Sequence, residues 1–110
     1  MAYDEALADR IRALAVGEPG LAEQKMFGGL AFLVNGNLAV AASGQGGLLV
    51  RVDPQESAEL VETTSAEEMV MRGRSMAGWL RVESGAVEGE DELRAWTDRG
   101  LSYARSLPPK

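Results

Sequence analysis

Between residues 28 and 52 glycine recurs at positions 28, 29, 36, 44, 46 and 47, and short runs of Val, Leu, Ala and Phe fill the gaps. No helix of ordinary length fits between such breaks, whereas short strands joined by turns do. The pattern predicts strands near residues 25–34 (bent at Gly28-Gly29), 38–42 and 48–52. Links this short force antiparallel pairing. Asn35-Gly36-Asn37 is the hairpin signal, and two registers compete for it. A two-residue loop pairs Val34 with Asn37 and sets Phe32 opposite Ala39. A three-residue loop pairs Val34 with Leu38, Phe32 with Val40 and Leu30 with Ala42, gathering the large side chains on one face. The second is preferred, because register follows the buried pattern.

Helical periodicity brackets this block. Tyr3, Leu7, Ile11 and Leu14 form one stripe over residues 4–15, which Gly17 and Pro19 end. Asp53-Pro54-Gln55-Glu56 has the spacing of a capping box and opens a second, short helix. Residues 67–82 alternate as a second hairpin. Residues 90–107 carry Leu93, Trp96, Gly100, Ala104 and Leu107 on one stripe, with three acids at the start and Arg105 near the end, as the helix dipole prefers. The order is helix, three strands, helix, two strands, helix. That is an α+β fold of two layers, an antiparallel sheet with helices on one face.

The 110 residues suit a single domain, residues 1–110. Eleven Lys and Arg stand against 17 Asp and Glu, a formal charge of −6, with neither His nor Cys. Thiolate nucleophiles, disulfides, structural zinc and every Ser–His or Cys–His arrangement are thereby excluded. The negative charge is spread along the chain, which argues against direct nucleic-acid contact, since that rests on neutralising several phosphates. No apolar run approaches the roughly 20 residues of a membrane span, and the acidic start lacks a targeting pattern. A cytoplasmic protein without membrane contact is the expectation.

Candidate sites are few. Gly44-Gln45-Gly46-Gly47 lacks the third glycine of a dinucleotide fingerprint, because position 49 is Leu, and it runs into a strand. Glu67-Glu68 and Glu90-Asp91-Glu92 have no cleft-forming pattern around them, so no catalytic residue, metal or cofactor is assigned. Lys25, Arg51, Arg72, Arg74 and Arg81 read either as an anion-binding patch or as charges that blunt sheet edges. Met69, Met71 and Met76 read either as core filling or as an adaptable protein-binding surface. Trp79 and Trp96 read as core anchors. If Leu30, Phe32, Val34, Leu38, Val40, Leu48, Val50 and Val52 face the helices, then Ala31, Leu33, Ala39, Ala41, Leu49 and Arg51 form an apolar opposite face. Such a face calls for a cover, a second copy or another protein, so a homodimer through the open sheet face is one expectation.

Lys25-Met26-Phe27-Gly28-Gly29-Leu30-Ala31-Phe32, the Asn35-Gly36-Asn37-Leu38 turn, Leu48-Leu49-Val50-Arg51-Val52-Asp53, Gly73-Arg74-Ser75-Met76-Ala77-Gly78-Trp79 and the closing Leu107-Pro108-Pro109-Lys110 together resemble the N-terminal domain of the TfoX/Sxy regulators of competence. The resemblance covers nearly the whole chain. It implies a fold similar to secretion chaperones, with the element order derived above. It also implies a regulatory role resembling transcriptional coactivation, exerted through a protein partner such as a transcription regulator, and it transfers no catalytic residue. Competence regulators carry a second domain after this one. The reading is a non-enzymatic interaction module. Its interaction residues are Lys25, Met26 and Phe27 at the bend, with Arg72, Arg74, Met76 and Trp79 around the second hairpin. Gly28, Gly29 and Gly36 serve backbone geometry. The alternative is a small-molecule binder or enzyme with a pocket between the sheet and the last helix.

Overall fold

The computed structural model describes residues 3–26, 28–71 and 73–109; Phe27 and Arg72, both singled out above, lie outside the described residues. The first helix, α1 (Glu5–Ala15), is capped by Asp4, whose carboxylate accepts from the Leu7 N–H at 3.1 Å, and it buries Leu7, Ala8, Ile11 and Ala15. Six strands follow: β1 (Leu21–Met26), β2 (Gly29–Val34), β3 (Asn37–Ala42), β4 (Leu48–Arg51), β5 (Glu67–Met71) and β6 (Arg74–Val82). Helix α2 (Ser57–Thr63) separates β4 from β5, and α3 (Glu90–Ser106) closes the chain after a 3-10 turn at Ser84–Val87. The sheet is antiparallel throughout, in the order β1-β2-β3-β4-β6-β5. The α+β class and the order helix, strands, helix, strands, helix are those predicted. The first block, however, holds four strands instead of three.

The extra strand comes from the supposed bend. The chain reverses completely there, pairing Met26 with Gly29 and Leu21 with Val34. Gly28 takes a φ of +75°, where a side chain would be strained, and a Cβ on Gly29 would stand 2.2 Å from the Ala42 carbonyl oxygen. The reversal therefore favours glycine at 28 and leaves no room for a side chain at 29. The sequence of β1, Leu-Ala-Glu-Gln-Lys-Met, carries no strand signal, because it lies on a sheet edge and needs no apolar alternation.

The β2–β3 hairpin corrects the preferred register and preserves its purpose. Asn35 (φ 53°) and Gly36 (φ 86°) form the two-residue loop, with Val34 opposite Asn37. The register then shifts between Phe32 and Leu33, leaving Ala39 as an extra residue, and Phe32 meets Val40 while Leu30 meets Ala42. A β-bulge thus combines both registers. Its consequence is an exchange of faces: Ala39 joins the helix-side core, and Leu38 points to the other side.

Helix α2 also starts later than the capping box implied. Asp53 turns its carboxylate to the Gln55 N–H (2.9 Å) and its carbonyl to the Glu56 N–H (2.8 Å), forming a local turn that precedes the helix. Ser57, at the first helical position, is buried and accepts a 2.6 Å hydrogen bond from the Gly78 N–H in β6. The main core lies between the sheet and the helices. Phe32, Val34, Val40, Val50 and Leu80 meet Ile11, Leu93 and Ala104 there, all at 0% exposure.

Candidate functional site

The face of the sheet turned away from the helices carries a second, smaller core of Ala31, Leu33, Leu38, Ala41 and Leu49. Strand alternation places these residues there, apart from Leu38, which the bulge delivers. The Arg81–Trp79 portion of β6 shares this face, because Leu49 opposes Arg81 and Arg51 opposes Trp79. Met26, from edge strand β1, packs on the cluster, and so does Met69, from the opposite edge strand β5. In a flat sheet these edges would be five strand spacings apart, roughly 24 Å. The cluster spans β2, β3 and β4, so each methionine reaches only its nearer members. Both also line one small hollow, which edges that far apart could not share in a flat sheet, so the sheet curls toward this side. The result is a concave, open cleft of about 320 Å³, with Ala41, Leu49, Met26 and Met69 among its lining and Glu67, Glu68, Gln45 and Arg81 around them.

This geometry alters the premise for an uncovered face. The five residues of the small core retain at most 8% exposure within one chain, so curling and the long methionine and tryptophan side chains already remove them from water. What remains accessible is the cleft, not a flat apolar sheet.

The arginines are largely committed to contacts within the chain. Arg81 donates to the Gln45 side chain (2.5 Å) and to the Gly46 carbonyl (3.2 Å), fastening the 43–47 loop to β6. The Arg51 guanidinium stacks 5.0 Å from the Trp79 ring centre and 5.7 Å from that of Tyr103, tying β4, β6 and α3 together. The groups whose proton affinities are displaced lie in surface ion pairs. Glu23 is held below the ordinary carboxylate value by hydrogen bonds from Arg12 (2.7 and 2.9 Å), and Glu18 likewise by Arg105.

The interaction residues named from the sequence divide into two groups. Met26 and Trp79 lie on the cleft face, and Met76 joins them as the direct cross-strand neighbour of Met69. Lys25 opposes Leu30 and so projects to the helix side, and Arg74 stands exposed where β6 begins. Of the cations grouped as an anion patch, Arg51 and Arg81 already contact Trp79, Tyr103, Gln45 and Gly46, and Lys25 projects to the helix side whereas Arg81 lies on the cleft side. For the alternative of a small-molecule pocket between the sheet and the last helix, a cavity lined by both tryptophans would be the favourable sign. Trp96 belongs to the helix-side core, and Trp79 packs against the core of the opposite face. Gln45, Arg81 and Met69 complete the cleft but were not among the interaction residues. In the sequence Met69 reads as core filling or an adaptable surface and Arg81 as one of the sheet cations, whereas nothing in the glycine-rich loop points to Gln45 as their neighbour.

Among the described residues no helix is long and apolar enough to cross a membrane. Fold and cleft define a two-layer α+β domain, with helices on one face of a curled antiparallel sheet and an open, methionine-flanked hollow on the other. Residues 14–104 match the family described as the TfoX N-terminal domain, and the chain belongs to that family. No curated protein matches the chain.

Proposed function

We propose that this domain is a non-enzymatic regulatory module that works by receiving a protein partner in the concave cleft. The observation that carries the reading is that Met26 and Met69, from opposite sheet edges, line one open hollow whose floor is the small apolar core. Methionine adapts its shape to irregular apolar groups, which suits a surface that must accept a side chain from another protein. Gln45, Arg81, Glu67 and Glu68 supply a polar rim of both signs, the usual surround of an apolar docking centre. The absence of imidazole and thiol from the whole chain supports binding over catalysis. Membership in the TfoX N-terminal family supports a regulatory setting, with a transcription regulator as the kind of partner.

The test is affinity capture with the wild-type chain beside Met69→Glu, which places a charge on the cleft wall, and Arg74→Glu, which alters the exposed start of β6. A partner retained by wild type and Arg74→Glu but lost with Met69→Glu assigns docking to the cleft. Loss with Arg74→Glu alone moves docking to the hairpin tip. Retention by all three removes both surfaces from the account.

A further inference from the structure

Strand β1 is a free sheet edge whose central residues, Ala22, Glu23, Gln24 and Lys25, are all exposed. Its outer N–H and C=O groups form a row that can accept another strand. We propose that this edge pairs with β1 of a second copy of the chain, antiparallel about a two-fold axis, with Gln24 opposite Gln24. This edge adjoins the cleft at Met26, but the inference does not depend on what the cleft binds.

The occupant is fixed by charge and by register. A two-fold strand pair that keeps each face of the sheet continuous must be centred on a residue, because a one-residue slip mixes the faces. Centring on Glu23 sets two carboxylates against each other, and centring on Lys25 sets two ammonium groups together. Centring on Gln24 places Glu23 opposite Lys25 twice. It also places the small Ala22 opposite the long Met26 twice. Oppositely charged and size-matched pairs directly across an antiparallel ladder are the favourable ones, and like charges there are unfavourable. Both charged residues project to the helix side and both apolar ones to the cleft side, as their partners Phe32, Leu30, Leu33 and Gly29 in β2 require. The paired sheet would therefore run Met26 of each copy alongside Ala22 of the other, at the margin of each cleft. Glu23 already accepts from Arg12, and its carboxylate has further lone pairs for Lys25 of the second copy. The other free edge offers no such match, since the charges of β5 are Glu67 and Glu68, both acidic.

The experiment uses sedimentation velocity on the whole chain across a wide concentration range. The wild type is expected to approach twice the chain mass as concentration rises. Lys25→Glu leaves the Arg12–Glu23 pair intact and makes every cross-strand charge pair repulsive, and it is expected to weaken dimerisation about tenfold or more. Glu23→Lys is expected to do the same. Mixing the two variants restores both opposite-charge pairs, so the mixture regains a dimer that neither forms alone. Ala22→Arg, placed against Met26 of the second copy, provides a dissociating variant that leaves the charge pairs untouched if Glu23→Lys does not fold. A wild type that stays monomeric overturns the proposal. So does a dimer indifferent to Lys25→Glu and Ala22→Arg, or a mixture that fails to recover when both variants are folded by circular dichroism.

Discussion

Gly100 lies in the middle of α3, where an alanine would ordinarily strengthen a helix by about 1 kcal/mol. Here the sign reverses. A Cβ at this position would stand 2.4 Å from the carbonyl oxygen of Ala39, the bulged residue of β3, and 3.3 Å from Cγ1 of Val50. An ordinary carbon–oxygen approach is roughly 3.3 Å, so α3 would have to lift by roughly 0.9 Å at its closest contact with the sheet. A backbone oxygen cannot rotate aside as a side chain can. Overpacking costs about 1–3 kcal/mol, and a clash with an unyielding backbone oxygen falls in the upper part of that range, about 2–3. The helix-propensity gain offsets about 1 of it, leaving a net loss of ~1–2 kcal/mol for Gly100→Ala. For a domain of this size that is a fall in Tm of ~4–8 °C, measured by calorimetry or by circular dichroism at 222 nm. Gly85→Ala, where a Cβ meets nothing within 4 Å, is the control and should stay within about 0.5 kcal/mol of wild type. A Gly100→Ala protein as stable as wild type, or more stable, would refute the close seating of α3 on the bulge.

Other expectations follow from single contacts. Ser57→Ala removes the acceptor of the Gly78 N–H in a buried place and should cost about 1–3 kcal/mol, read as a lower urea midpoint with an unchanged slope. Arg51→Ala unstacks the guanidinium from Trp79 and should cost about 1 kcal/mol; in a Trp96→Phe background the remaining indole emission should shift to longer wavelength. The Glu18 carboxylate is held below its ordinary value of 4.5 by Arg105, so the native state favours its ionised form. Its contribution is present above pH 4.5 and disappears as the pH falls through the lower native value. Glu18→Gln should therefore lower Tm at neutral pH, with the difference closing in acid; a difference that persists or widens in acid would contradict the ion pair.

Periodicity carries information about residues that face a core, and the legible parts of this chain are those. The stripe of Leu93, Trp96, Gly100, Ala104 and Leu107 marked α3 because its first four members are buried; Leu107, partly exposed, caps the helix. Strand β1 was illegible for the same reason, since an edge strand with both sides wet has no pattern to read. The Asn35-Gly36 turn announced a hairpin, but a bulge at Ala39 cannot be seen in a binary pattern, and it decides which face Leu38 occupies. The cleft shows the limit most plainly. Met26 and Met69 lie 43 positions apart in sequence and on opposite sheet edges, so only the curl of the sheet brings them together. Arg51 and Arg81 looked available as charges, whereas their partners Trp79, Tyr103 and Gln45 are set by tertiary packing.

Docking in the cleft is tested most directly by placing a photo-crosslinking amino acid at Met69, and separately at Ala95 on the outer side of α3, in the intact chain inside cells. A discrete protein adduct from position 69, absent from position 95 and suppressed by Leu49→Glu on the cleft floor, is the predicted result. Adducts that form equally at both positions, or at position 95 alone, would contradict a partner seated in the hollow of the sheet.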